Sequence, residues 1–321
     1  MEKQVQVQRK FKFNTLVALL LALAVIVIAF SLLSPYFLKW KNIQSIVKFA
    51  SSTGIIATGI TFVLIAGSMD LSTGTVAALA GVVISALMKY DIIDNWFLGV
   101  IAGLVTGLLC GALNGMCITV LKINPFITTL ATQNIFKGIA YIITGGTAFT
   151  IRNDKFNAIA QSRIFGFPVI AIYFLVIILA FGWILKNTRF GRNVYSIGGN
   201  AEASFLAGIS LKKTRFCLYT LSATLASVSG ILNASLTGTG QAAAFAETAM
   251  DAISTCILGG VSLSGGRGSM LGTFVAIIIY ATLDNGMTLL SIPSFYQMVL
   301  KGIILIFAVA IDVLKGSGGY K

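Results

Sequence analysis

The sequence predicts an all-α polytopic membrane protein of about ten transmembrane helices, in a 5+5 inverted-topology repeat with both termini cytoplasmic. Three observations predict it: too little polar surface for a soluble globule, ten apolar runs, most of bilayer length, and short motifs that recur in the same order in both halves. Of 321 residues, 57% are hydrophobic and 10% are charged, against about a quarter charged in a soluble domain. With a mean hydropathy of +0.92, most of the exterior has to face lipid.

Ten crossings of about 20 residues use roughly 200 and leave about 120 for loops and tails. One membrane domain, 1–321, therefore fills the chain and leaves no room for a soluble enzymatic domain. The net charge of +13 does not point to nucleic acid, because the basic residues sit in short loops between apolar runs, where they orient helices. There is no histidine, and Cys110, Cys117, Cys217 and Cys256 lie inside apolar segments without a C-x-x-C pair. The usual zinc and haem ligand sets are missing, and the cysteines read as packing residues.

The runs fall at about 15–33, 43–66, 72–88, 96–118, 125–143, 168–186, 214–234, 249–264, 269–290 and 295–313. The third and eighth are short, and eight crossings would keep the parity if two of the segments re-enter instead. The first run, behind Lys3, Arg9, Lys10 and Lys12, has a long apolar core with no cleavage site after it and reads as a signal-anchor. With the N-terminus inside, 14 of the 23 basic residues fall on the inner side, Lys315 and Lys321 among them, while 6 fall outside and 3 within spans. That bias fits an even count of crossings.

Met69-Asp70 is echoed by Met250-Asp251, Asn114-Gly115-Met116 by Asn285-Gly286-Met287, Pro125 by Pro293, and Lys137-Gly138-Ile139 by Lys301-Gly302-Ile303. The offsets of 181, 171, 168 and 164 drift as small deletions would make them, and they superpose the half 15–143 on the half 168–313. Five is odd, so the halves face opposite ways, an architecture found in transporters.

Within this frame, Gly99, Gly103, Gly107, Gly111 and Gly115 recur every four residues and let a neighbouring helix approach the fourth span closely, as a static seam or a sliding one. Asp70 stands among Ser68, Ser72 and Thr73 in GSMDLSTG, 67–74. A carboxylate there caps the next helix, faces a cavity or meets a cation. Lys137, Asp251 and Lys301 are further candidate charges inside spans, and a mid-span lysine has to snorkel, pair or line water. With Ser68, Asp70 and Ser72, the residues Asn114, Thr129, Gln133, Asn134, Asn233 and Asn285 make up a candidate path. Their groups suit a neutral, hydroxyl-rich solute, and interhelical hydrogen bonds explain the amides equally well.

The longest inner loop reads TRFGRNVYSIGGNAEASFLAGI, 188–209. Asn200 is placed to cap a short helix over Ala201–Ala207 that Gly208 ends, with Glu202 complementing its first turn. Carried outside the membrane, such a helix docks into a partner's groove or lies at the interface.

Together with FITTLATQNIFKG (126–138) and ILGGVSLSGGRGSMLGT (257–273), these segments resemble the permease subunit of bacterial ribose-type ABC sugar importers, over about Leu33 to Asp312. The resemblance implies a homodimer or heterodimer of permeases in the cytoplasmic membrane, with a sugar-binding protein outside and an ATPase inside. ATP and Mg would be bound by that ATPase, since this chain has no G-x-x-x-x-G-K-[ST] cradle. It assigns the coupling role to Gly198, Gly199, Asn200, Ala201, Glu202 and Ala203, flanked by Arg189, Gly191, Arg192 and Gly208. Three positions depart from the family pattern: Ser68 for a second glycine, Lys137 for arginine, and Ala249 for glutamate, with Glu247 two residues earlier. The function expected is ATP-driven, alternating-access import of a monosaccharide. The rival is an ion-gradient-driven secondary transporter of a small polar solute, for which Asp70 and Asp251 are the available ion-binding acids.

Overall fold

The computed structural model describes residues 15–317. The basic head, Lys3 to Lys12, and Lys321 lie outside the described residues, as does the side chain of Lys315. The helices in the first half are α1 (Thr15–Leu33), α2 (Trp40–Ile65), α3 (Thr73–Lys89), α4 (Trp96–Thr119) and α5 (Pro125–Thr144). A connecting segment holds α6 (Asp154–Gln161) and two-residue strands β1 (Phe149–Thr150), β2 (Arg163–Ile164) and β3 (Phe167–Pro168). Then follow α7 (Val169–Asn187), α8 (Arg189–Gly199), α9 (Ala201–Leu206), α10 (Leu211–Thr237), β4 (Thr239–Gly240), α11 (Thr248–Leu258), α12 (Met270–Leu289) and α13 (Ser294–Ser317). The protein is an all-α polytopic membrane protein. By length and composition, α1, α2, α4, α7, α10 and α12 suffice to cross a bilayer. Along α1, Leu20, Leu21, Val25, Ile28 and Leu32 are exposed, a surface only lipid tolerates in bulk.

The ends of the helices are written in local chemistry. Asn124 accepts from Phe126 N at 2.9 Å ahead of Pro125, a cap followed by a proline whose missing N–H costs nothing there. Gly145 and Gly238, both with positive φ, close α5 and α10. Two interruptions matter most. α2 stops at Gly67, φ +71°, and the chain runs non-helically to Thr73. Likewise α10 stops at Gly238, and the chain returns through 239–247 before α11. The two breaks meet, because a Cβ on Gly74 would lie 2.6 Å from the Phe245 carbonyl oxygen.

α11 holds 11 residues, about 16 Å of rise, half of what a crossing needs. The eighth run, expected over 249–264, is therefore corrected to a half-length helix. Gly259 and Gly260 end it, the latter at φ +88°, and an apolar average over the following Val261 and Leu263 concealed the stop.

The α4 glycines face α10 and α3. A Cβ on Gly107 would meet Ser227 Oγ at 2.3 Å, one on Gly111 would meet Thr220 Cα at 2.6 Å, and one on Gly103 would meet Ile231 and Ile84 at 2.7 Å. This is the close-packed seam that the four-residue spacing predicts. Across the core, Ser229 Oγ of α10 donates to the Ser52 carbonyl of α2 at 2.8 Å. Thr61, Thr273 and Cys256 tie α2, α12 and α11 together, at 3.1 and 3.3 Å from the Thr61 hydroxyl. Cys110 and Cys256 are buried packing residues, whereas Cys217 is exposed.

Candidate functional site

At the first break, Asp70 has no exposed surface. Its Oδ1 accepts from the Ser72 backbone N at 3.1 Å and the Ser72 hydroxyl at 2.7 Å, and Asn114 Nδ2 of α4 donates to that hydroxyl at 2.8 Å. Ser68 bonds the Tyr219 hydroxyl of α10, which donates to the Met69 carbonyl at 3.1 Å. Four predicted residues, Ser68, Asp70, Ser72 and Asn114, thus form one corner. The capping expectation for Asp70 is corrected: the α3 cap is Ser72, whose side chain makes no cap bond. Asp70 lies two residues too early and folds back on Ser72 as a turn acceptor.

The second corner surrounds Asp251 in the first turn of α11. Lys301 of α13 lies 3.4 Å from Asp251 Oδ2 and 2.8 Å from Asp284 Oδ1 of α12, and the Tyr280 hydroxyl donates to Asp251 Oδ1. Three helices are pinned by one ammonium group, itself 5.4 Å from the Tyr280 ring centre. Asn285 stands next to Asp284 with its Oδ1 buried and unpartnered among the described residues. Asp284 and Tyr280 were not singled out from sequence. Their position on α12, four residues apart, was the available signal.

The remaining predicted path residues are spread out. Thr129 is buried and bonds back to the Pro125 carbonyl at 2.9 Å, a within-helix role. Gln133 is half-buried on α5, while Asn134 and Lys137 are exposed there, and a Cβ on Gly138 would meet nothing. Lys137 forms no ion pair among the described residues. Asn233 is elsewhere, lining a small cavity with Thr237, Thr239, Gln241 and Phe245 between α3, α10 and the second break.

In the 188–209 segment the short helix forms as α9, Ala201–Leu206, one residue shorter than expected, behind a helix, α8, that was not foreseen. Asn200 Oδ1 accepts from Ala203 N at 2.9 Å, and Gly208, φ +84°, turns the chain out of α9 with its N–H on the Phe205 carbonyl at 2.9 Å. Ala201 is half-buried, and Glu202 and Ala203 are exposed with Arg189, Arg192, Gly199 and Asn200. Beside them Phe205 and Leu206 are 64% and 80% exposed, an apolar tip that sequence reasoning passed over although it is legible in S-F-L-A. Gly191 and Gly198 are structural. A Cβ on Gly191 would fall 2.0 Å from the Leu185 carbonyl, and one on Gly198 would fall 1.8 Å from the Ile65 carbonyl at the foot of α2. That carbonyl accepts from Gly266 N at 2.8 Å, so α8, α2 and the 259–269 loop are joined through bare backbone. Tyr195 Oη donates to the Gly268 carbonyl at 2.9 Å. Burial pushes its phenol up, which keeps the donor protonated.

Broken helices with polar corners inside, and an exposed apolar tip carried by short helices, define a multi-pass membrane transport subunit. The chain belongs to the family "Branched-chain amino acid transport system / permease component", whose description matches residues 42–309. It is 36% identical over 299 residues to ribose import permease protein RbsC of Bacillus subtilis (strain 168), covering 92% of each chain. It is 39% identical over 297 residues to the L-arabinose transport system permease protein AraH of Escherichia coli (strain K12), covering 92% of this chain and 90% of that one. The Escherichia coli (strain K12) ribose import permease protein RbsC is 34% identical over 300 residues, 92% and 93% of the two chains. No solved structure matches the chain. With bacterial permeases as relatives and its apolar helices, the protein is a multi-pass protein of the bacterial inner membrane.

Proposed function

We propose that this chain is the transmembrane subunit of an ATP-driven importer of a monosaccharide, ribose, arabinose or a near relative. The observation that carries the reading is the similarity to ribose and arabinose permeases along 92% of the chain. In this reading ten membrane segments form two inverted halves, 15–143 and 168–313, with both termini cytoplasmic, and α3 and α11 serve as the short, interrupted members of each half. Hydrolysis belongs to a separate ATPase that holds ATP and Mg. The exposed Glu202, Phe205 and Leu206 offer it a docking tip, and closure of the ATPase pulls through Gly198 on the foot of α2, rocking the halves.

Lys137 supports a water-filled path or a second permease copy along α5. An exposed mid-helix ammonium with no partner among the described residues is costly against lipid and well placed against water. On the opposite side, Lys89, Asp91, Asp94, Arg152, Asp154 and Lys155 make a charged rim suited to an extracytoplasmic sugar-binding protein. The test is uptake of labelled ribose and arabinose into vesicles holding the permease and its ATPase, with loaded binding protein outside and ATP inside. Uptake that needs ATP and the ATPase is expected. Ion-gradient-driven uptake by the permease alone would falsify the reading.

A further inference from the structure

β2 and β3 pair antiparallel, Arg163 with Pro168 and Ile164 with Phe167, around a two-residue turn of Phe165 and Gly166 at φ +50° and +80°. A turn with two positive φ values suits Asn-Gly or Gly-Gly, and a bulky residue there is strained. The Phe165 ring is also wholly exposed, so the fold draws no packing from it. Gln44 of α2 donates to the Gly166 carbonyl at 3.0 Å, and the Trp40 and Phe167 rings meet edge to face with centres 5.1 Å apart. The turn is thus fixed beside the start of α2, where α1 has just ended at Leu33 and α7 begins at Val169. These three helices are long enough to cross a bilayer, so the turn lies at a membrane surface. Tyr36 and Trp40 are exposed there, as amphipathic rings are at the headgroup level. Among them stand Lys39, Lys41, Lys48 and Arg163, and residues 34–48 and 162–170 contain no carboxylate. Lys39 Nζ sits 4.2 Å over the Tyr36 ring centre, and none of the four cations forms an ion pair among the described residues.

We propose that this end of the fold binds an anionic phospholipid, with Lys39, Lys41 and Arg163 on the headgroup phosphate and Phe165 inserted among the acyl chains. Two observations choose a lipid over a protein partner. On either side the exposed surface runs on into apolar residues, Leu32 and Leu33 of α1 and Tyr173 and Val176 of α7, which belong against hydrocarbon. Four cations without a counter-charge call for an anion, and a zwitterionic lipid brings its phosphate already balanced by its own ammonium. An anionic phospholipid supplies the unbalanced phosphate and the chains together. Lys48 extends the site inward. Lys41, Ser45 and Lys48 follow one another at four and three residues, along one face of α2. A helical side chain leans toward the N-terminus of its helix, so the half-buried Lys48 carries its ammonium up toward Lys41 and the phosphate level. The inference rests on the chain's residence in a bilayer and not on sugar transport or ATP.

The test uses the full-length chain in lipid nanodiscs, with the exposed Trp96 and Trp183 replaced as Trp96→Phe and Trp183→Phe, so that Trp40 is the one tryptophan left. Its fluorescence is read against brominated phosphatidylglycerol and brominated phosphatidylcholine. Each basic residue near an anionic membrane surface is worth about a fivefold change in binding, so phosphatidylglycerol is expected to quench Trp40 with a preference of about tenfold or more at low salt. Lys39→Gln together with Arg163→Gln is expected to bring the two lipids close to parity. Phe165→Asn installs a residue that the turn favours; it is expected to fold, to weaken quenching by both lipids and to keep the preference. Equal quenching by the two lipids before any charge is removed would overturn the site, as would a preference that survives the double substitution or undiminished quenching in Phe165→Asn. A preference abolished by millimolar glycerol phosphate would assign the cations to a free phosphate and overturn the lipid. Quenching of Trp40 by aqueous acrylamide and by neither brominated lipid would give the surface to a soluble protein and overturn it too.

Discussion

At Asp251, two carboxylates share one lysine, with a tyrosine donating to one of them, across three helices, whereas the Asp70 carboxylate is held by the Ser72 hydroxyl and backbone N–H. The sequence echo between them, Met69-Asp70 with Met250-Asp251, extends to the lysines 137 and 301 but not to what those lysines do. Lys301 reaches two acids; Lys137 reaches none among the described residues. The difference traces to single positions. Asp284 stands beside Asn285, while the corresponding place beside Asn114 is Leu113, so the first half has no second acid to draw its lysine inward. The two echoing segments thus differ by one carboxylate, one forming a bolted corner and the other carrying an ammonium with no ion pair among the described residues.

The largest effect is expected where the bolt is cut. Lys301→Met leaves Asp251 and Asp284 together without their cation, and should destabilise the protein by about 3–5 kcal/mol. Adding Asp251→Asn and Asp284→Asn should recover most of the loss in a thermal-unfolding cycle; strict additivity would refute the network. Next comes the backbone junction. Gly198→Val should lower the yield of folded protein or uncouple ATP hydrolysis from uptake, because a Cβ overlaps the Ile65 carbonyl. Gly199→Val meets nothing within 4 Å and should fold normally, leaving its effect to docking. Equal damage from both would remove the junction from the coupling route. The smallest change in stability belongs to Lys137→Gln, within about 0.5 kcal/mol for an exposed site, accompanied by a fall in uptake. Unchanged uptake would detach α5 from the path.

Most of the helices were legible because lipid imposes a long apolar run. The eighth segment was not, since Gly259 and Gly260 act through backbone conformation that a hydropathy average does not register. α6 was missed for a similar reason. Its 8 residues are held by an Asn153 cap, by Ser235 of α10, which accepts from Ala160 N at 2.9 Å, and by a fully buried Phe156, which are mostly tertiary partners. In the candidate site, the cluster of Ser68, Asp70, Ser72 and Asn114 was foreseen by residue type. Tyr219 was invisible because only folding brings it to Ser68 and Met69, while Asp284 and Tyr280 offered only their four-residue spacing on α12. Asn233 carried the right chemistry and landed in a separate cavity.

Under the proposed function, the exposed Phe205 and Leu206 would set a condition on manufacture as well as on motion. A copy made in excess of the proposed ATPase would present a bare greasy knob to the cell interior, the kind of surface that chaperones and proteases engage. Once capped in that assembly, the same knob would be hidden. Surplus subunits would then be cleared and completed assemblies spared, so that stoichiometry is kept by selective turnover without closely matched rates of synthesis.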